Sequence, residues 1–523
     1  MGEINSLLLV FINDETSFTL GENLVQAYAN IPNKVKRINS FTYASYVSQR
    51  LFYSTKSFES YISDPTNNQN PVFAHEPPHL LIRSLEDNLV NFQTWYTQEP
   101  LTNKLYSDII NYYHTNIPDY YTNQLDKGNE EGLLRFFIAF AYEQFLWQIP
   151  FDINTFGRII YLYLNNTSMK TTSAKFLAKY SISIEDWLIL ILCLYSYTFN
   201  NIDHLFFTED IFLNSNIRSL PLNKLDTFLH YSSITPENYR DEYTKVHNEF
   251  IFNKGEEFFF TPLLYQNPIL KFSNTFICTN YKLLAFQAKE KLYSLCTEAD
   301  NNFPGSLGKP FEDYTYQLFN ELNHIQILNE KSIKRLYRIE SEVCDILVEF
   351  PESVLLIECK ATKCTAIKKT PETLRTNNSM NKIGKGISQL ITASQIIKTF
   401  YSKPLLGLLV TYGEFYFPNH DWYFENIIRP NIHANNFQFF GGFEKRPTIL
   451  SISTLERFIQ ISLSNQVPIT DLIKEKFLSE NNHIPMTKYN VSKSLQTVDN
   501  VALNFFNQNL PEINFKRIIE QNG

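Results

Sequence analysis

The sequence predicts an α/β core over 304–470, a mixed central sheet flanked by helices, attached to a large, mainly α-helical N-terminal region. Three observations carry this expectation. Two apolar runs, 346–350 and 354–357, flank a Pro351-Glu352-Ser353 turn and read as a β-hairpin. Segments of helical period stand on either side of that hairpin, and a further apolar run at 404–412 follows the second of them. Upstream of residue 250, apolar positions recur at helical spacing in one segment after another.

Taken in order, the N-terminal region is expected to form helices over 43–62, 80–97, 101–115, 131–147, 156–164, 184–199 and 224–231, with an Asn- and Pro-rich loop at 64–78. From 256 to 280 the pattern turns strand-like, at Phe258-Phe259-Phe260-Thr261-Pro262 and again at 272–279, before a helix over 281–296. Asn301-Asn302-Phe303-Pro304-Gly305 reads as a turn or linker and marks the expected start of the α/β core. The resulting division is 1–250 for the helical region, 251–303 for a mixed connection, 304–470 for the core and 471–523 for a helical extension.

Within the core, a helix over 308–322 is expected to open at Pro310, with Phe311, Leu318, Phe319 and Leu322 on its apolar face and Glu312 in its first turn. The hairpin carries the chemistry. Asp345 stands at the start of its first strand, and Glu358 and Lys360 at the end of the second. Residues two apart on a strand share a face, and the hairpin returns both to the level of Asp345. Two carboxylates and an ammonium then meet at one end of a sheet. Such a grouping is costly unless a divalent cation and a phosphate belong there. A helix bearing Gly386-Ile387-Ser388-Gln389 follows, then the strand at 404–412, another at 447–452 and a helix from Ser453.

An Asp, a spacer that crosses a hairpin, and Glu-x-Lys resemble the PD-(D/E)XK, or restriction-endonuclease-like, nuclease superfamily over 304–458. Cys344 stands where that family usually has Pro, a position that holds no ligand. The resemblance implies phosphodiester hydrolysis with Mg²⁺ or Mn²⁺. It implies Asp345, Glu358 and the Cys359 backbone carbonyl as metal ligands, Lys360 as the group that orients water and neutralises developing charge, and Glu312 as a further ligand or a water-mediated helper. Gln389 matches a second-helix Gln that braces the nucleophile or the lysine. By analogy of architecture, the expected substrate is DNA, with RNA an alternative, and the expected setting is bacterial defence against phage or foreign DNA. The N-terminal half would then regulate or target the enzyme, through a partner protein or by forming a homo-oligomer. A catalytically silent nucleic-acid-binding or scaffold protein is the competing expectation.

Composition bounds these readings. At 523 residues with 44% hydrophobic and 15% aromatic content, the chain has ample material for several cores. A net charge of −8 excludes a protein that grips nucleic acid over its whole surface. Positive charge concentrates instead at Lys363, Lys368, Lys369, Arg375, Lys382 and Lys385, in what reads as a long basic loop able to hold phosphates beside the hairpin. Six scattered Cys with no framework spacing point to a reduced, cytoplasmic setting.

Other motifs fail on physics. His75-Glu76-Pro77-Pro78-His79 spells a zinc-protease pattern, but two prolines in the turn deny both imidazoles one helical face. The longest apolar run, 187–199, is too short for a bilayer. No P-loop and no dinucleotide fingerprint occurs, so the chain encodes no ATP-driven motor.

Overall fold

The structure, a computed structural model, describes residues 34–63, 72, 76–92, 100–112, 142, 147, 153–210, 221–249, 260–322, 325–364, 370–415, 420–432, 447–478 and 495–509. The chain forms two compact units. Unit one is Met1–Pro150 with Leu190–Ser215 and Pro221–Gln287; unit two is Phe151–Ile189 with Asn216–Leu220 and Ala288–Gly523. Neither 250 nor 303 bounds a unit. The Asn301–Gly305 stretch, expected as a turn or linker, runs into a helix that starts at Phe303 inside unit two. No helix among the described residues is long and apolar enough to cross a membrane.

Unit one is helical, with a small sheet where the sequence predicts helices and a strand-like connection. Helices Ser40–Ser63 and Pro78–Asn91 face each other through Tyr43, Val47 and Leu51 on one side and Leu81, Leu85 and Leu89 on the other. Pro77 caps the second helix and Pro78 is its first residue, where a missing N–H is harmless. The proline pair therefore starts a helix. The zinc reading still fails, because Glu76 pairs with Arg50 at 2.5 Å ahead of that helix; His75 lies outside the described residues. Strands β1 (Phe206–Phe207), β2 (Ser233–Ile234), β3 (Ile269–Phe272) and β4 (Thr275–Cys278) form a sheet in the order β1-β4-β3-β2. The single strand expected at 272–279 is a hairpin, with Ile269 opposite Cys278 and Ser273 in the left-handed region at its turn. Strands of two to four residues are too short to show a period. The helix expected over 131–147 lies almost wholly outside the described residues, as does most of the 64–78 loop.

Unit two is a mixed α/β layer structure. Its five strands, β5 (Gln326–Asn329), β6 (Ile346–Glu349), β7 (Val354–Lys360), β8 (Leu405–Thr411) and β9 (Thr448–Ser451), lie in sequence order. The first three run antiparallel to one another; β7, β8 and β9 are parallel. β7 and β8 are fully apolar until their last residues, as strands covered on both faces must be. The Phe303–Asn320 helix and the Asn378–Ile397 helix both pack on β7, and the second also covers β8. β9 passes directly into the Ile452–Asn465 helix, capped by the Ser451 side chain.

Two features of unit two depart from expectation. Its Ile153–Tyr163 and Lys170–Tyr180 helices come from the region read as N-terminal, and Lys170–Tyr180 is absent from the expected elements. The C-terminal Gln496–Asn509 helix packs against Ile153–Tyr163 so closely that a Cβ on Gly157 would stand 2.3 Å from Val498. The basic loop expected after Lys360 is mostly helical. Thr370 and Asn377 are the N-caps of Pro371–Arg375 and Asn378–Ile397. Residue types that interrupt a helix also begin one, and only the following packing tells which.

Candidate active site

The hairpin register builds the site. Ile346 pairs with Ile357 and Glu349 with Val354, so continuing the register by one pair sets Asp345 across from Glu358. Beyond that point β6 ends while β7 runs on, held from its other side by β8 with Glu358 beside Leu409 and Lys360 beside Thr411. The backbone N–H of Cys359 would there lack an antiparallel partner. Asp345 supplies one: its Oδ2 accepts that N–H at 2.7 Å. The carboxylate thus terminates the ladder and is fixed at the sheet end.

Glu358 and Lys360 share a face, as their spacing requires, and form a direct ion pair. Glu358 is 1% exposed. One of its oxygens takes the Lys360 ammonium; the other, Oε2, is buried with no hydrogen-bond partner among the described residues. The Lys360 stem lies against the Asn378–Ile397 helix at Gly386, where a Cβ would meet Lys360 Cε at 3.1 Å and Leu409 Cδ1 at 2.6 Å. Glycine lets the helix approach and confines the lysine. Cys359 turns the other way, and its buried thiol lies beside Thr315 of the Phe303–Asn320 helix.

Glu312 belongs to the same surroundings. Its helix starts at Phe303, not at Pro310, so Glu312 sits mid-helix rather than in the first turn. Pro304 provides the helix start, and Pro310 is accommodated inside: the Ser306 carbonyl, left without the N–H that Pro310 lacks, accepts the Ser168 hydroxyl at 3.0 Å. Glu312 is half-buried and pairs with Lys309 at 3.0 Å, while Lys309 also reaches Asp313 at 3.0 Å. Gln389 is half-buried one turn beyond Gly386. Its Oε1 is buried without a partner among the described residues, so the bracing bond to Lys360 is not formed.

The electrostatics fit carboxylates short of positive charge. Burial, then the charge of Glu312, pushes the Asp345 carboxyl up to about 6, against the Cys359 N–H and Lys360. Burial, then Asp345, pushes Glu358 up to about 8 despite its ion pair. Burial works to lower the Lys360 ammonium, but Glu358 and Asp345 hold it above its ordinary value. One ammonium does not neutralise the group. The bare Glu358 Oε2, with the half-buried Asp345 carboxylate across the hairpin, fits a hard divalent cation, which needs only one or two carboxylates besides water and substrate oxygens. Among the described residues no group of three or more His, Cys, Asp or Glu is gathered for a metal. The two carboxylates that could share a cation here are Asp345 and Glu358.

Of the described basic residues, Lys363 and Arg375 are engaged within the protein. Lys363 is buried against Glu290 at 2.9 Å and lies over the Tyr293 ring, so it holds the chain together. Arg375 donates to the Asn426 carbonyl at 3.1 Å. Lys382 is half-buried and Lys385 exposed on the Asn378–Ile397 helix; Lys368 and Lys369 lie outside the described residues. Sequence reasoning missed Glu290 as the partner of Lys363 and Gly386 as the seat of Lys360. The first leaves no local trace. The second had a signal, two glycines, Gly384 and Gly386, on the apolar stripe of a helix.

Compared with protein-family models, with curated proteins and with solved structures, the chain matches none.

Proposed function

We propose that the Asp345, Glu358 and Lys360 end of the sheet is the active site of a divalent-metal-dependent nuclease of the PD-(D/E)XK kind, an endonuclease acting on DNA. The observation that carries this reading is the buried Glu358 carboxylate, which has one oxygen on Lys360 and the other bare, across the hairpin from Asp345. A bound Mg²⁺ or Mn²⁺ supplies Lewis acidity toward a phosphoryl oxygen and makes water more acidic. Asp345 and Glu358 hold it, with the Cys359 carbonyl. The Lys360 ammonium, beside the carboxylates that would hold the cation, would orient water and neutralise charge developing on phosphorus. Glu312 stands by as a further carboxylate, and Gln389 offers a free acceptor beyond Gly386. Among the described residues of the basic segment, Lys382 and Lys385 remain for a phosphate backbone.

A role in bacterial defence, with unit one regulating or targeting unit two through a partner or a second copy, rests on architecture alone. The direct Lys360–Glu358 pair favours a second reading, a silent nucleic-acid-binding fold stabilised by a structural ion pair. One assay separates the two. The full chain is incubated with plasmid, linear duplex, single-stranded DNA and RNA in Mg²⁺ or Mn²⁺, beside Asp345→Ala and Lys360→Met. Cleavage should fall at least about a thousandfold in both variants. Binding without cleavage by the parent chain favours the silent fold, and cleavage unchanged in the variants removes this site from consideration.

A further inference from the structure

The Phe303–Asn320 helix is held on its far flank by a buried polar seam that the chemistry above does not use. Arg158, of the Ile153–Tyr163 helix, is fully buried and ion-pairs with Glu456, of the Ile452–Asn465 helix. The other oxygen of Glu456 accepts the Tyr314 hydroxyl at 2.6 Å. A buried ion pair is weak evidence for stability, so its retention asks for another reason. Tyr314 lies two residues from Glu312.

We propose that Arg158, Glu456 and Tyr314 are positioning residues: they set the roll of the Phe303–Asn320 helix about its axis and so decide whether Glu312 faces Asp345 and Glu358. The inference rests on the proposed function and extends it to how the site is assembled. At 3.6 residues per turn, Leu307, Phe311, Tyr314, Thr315 and Leu318 fall on the buried face of the helix, with Tyr314 on the side of that face away from the half-buried Glu312. Burial of apolar side chains is non-directional, so it defines the roll of the helix less sharply than a hydrogen bond does. A directional hydrogen bond on one flank therefore fixes what the opposite flank presents. A roll of about 25° moves a Cα, on a radius of about 2.3 Å, by roughly 1 Å. Misplacement by that amount costs a catalytic constellation about a hundredfold.

The helix needs such a brace because it lacks one of its own bonds next to Glu312. Pro310 breaks the ladder there, and the freed Ser306 carbonyl is taken by Ser168 at 3.0 Å. Both braces, Arg158 through Glu456 and Ser168 directly, begin in the Phe151–Ile189 segment. That segment is the longer of the two pieces unit two takes from the first half of the chain.

The test uses the full chain and plasmid cleavage in Mn²⁺, with Mn²⁺ affinity by calorimetry. Tyr314→Phe keeps the ring and deletes one hydrogen bond. It should lower kcat roughly ten- to hundredfold with KM for DNA within about twofold, and weaken Mn²⁺ binding. Ser168→Ala, on an exposed turn, should do the same to a smaller degree and guards against misfolding of the first variant. In a Glu312→Gln background both substitutions should be nearly silent, because a positioning residue acts only through what it positions. Equal losses in both backgrounds, or wild-type rates for Tyr314→Phe, overturn the inference while leaving the active site standing if Asp345→Ala is dead. If the parent chain does not cleave, or Asp345→Ala cleaves as well as the parent, the proposed function falls and this inference falls with it.

Discussion

Each unit contains a buried glutamate beside a cation, and the two are treated in opposite ways. In unit one, Glu86 is fully engaged: Oε2 takes Arg83 at 3.2 Å, and Oε1 takes both the Tyr239 hydroxyl and the Leu263 N–H. In unit two, Glu358 is buried more deeply, has one oxygen on Lys360, the other bare, and a half-buried second carboxylate across the hairpin. Buried polar groups cost free energy unless paired, so a satisfied one is architecture, whereas an unsatisfied one beside a like charge needs a further reason. The contrast separates structural from chemical charge without reference to any relative.

Substitution should bring out that contrast most strongly. Glu86→Ala leaves Arg83 and Tyr239 buried without their partner and should cost about 3–5 kcal/mol, read as a lower urea midpoint. Glu358→Gln removes charge where charge is in excess. At pH 8 without metal it should leave stability within about 1 kcal/mol of the parent or raise it, while cleavage is lost. If the two substitutions destabilise alike, the distinction fails.

The next effect is in pH. The carboxyls of Asp345 and Glu358 lie above their ordinary values in the folded chain, at about 6 and about 8. The folded state therefore binds more protons than the unfolded state between about pH 4 and pH 8, and stability falls as pH rises through that window. The two shifts together correspond to a loss on the order of a few kcal/mol. Thermal unfolding in EDTA should show this fall, and Mn²⁺ should suppress it by binding the ionised pair. A midpoint flat from pH 5 to pH 8 in EDTA contradicts the charge imbalance. Smallest is Gly386→Ala. Gain of helix propensity, about 1 kcal/mol, offsets most of the clash with Leu409 and Lys360, so stability should change by about 1 kcal/mol. The cleavage rate should fall further than stability does, because the added methyl displaces Lys360; an unchanged rate would show that Lys360 has room to spare.

Legibility in the sequence followed the range of the interaction. The 346–357 hairpin, the shared face of Glu358 and Lys360, and the strand at 404–412 were readable because an apolar run and a two-residue period are local properties. Glu312 was placed on the right helix but in the wrong turn, since two prolines competed to start it and Pro304 prevailed. Lys363 was read as a phosphate contact because nothing near it in sequence announces Glu290. Lys170–Tyr180 went unread because it buries only Thr172, Phe176 and Tyr180, too sparse a stripe to show a helical period.

The sequence alone determined the β-hairpin and the phase of its acidic and basic residues, since both depend on close neighbours along the chain. Tertiary structure alone decided which charges are neutralised: that Glu86 is saturated and Glu358 is not, that Lys363 is consumed by Glu290, and that the Phe151–Ile189 segment braces the helix bearing Glu312. Desolvation and pairing energies depend on what arrives from distant parts of the chain, and no local pattern of residues records that arrival.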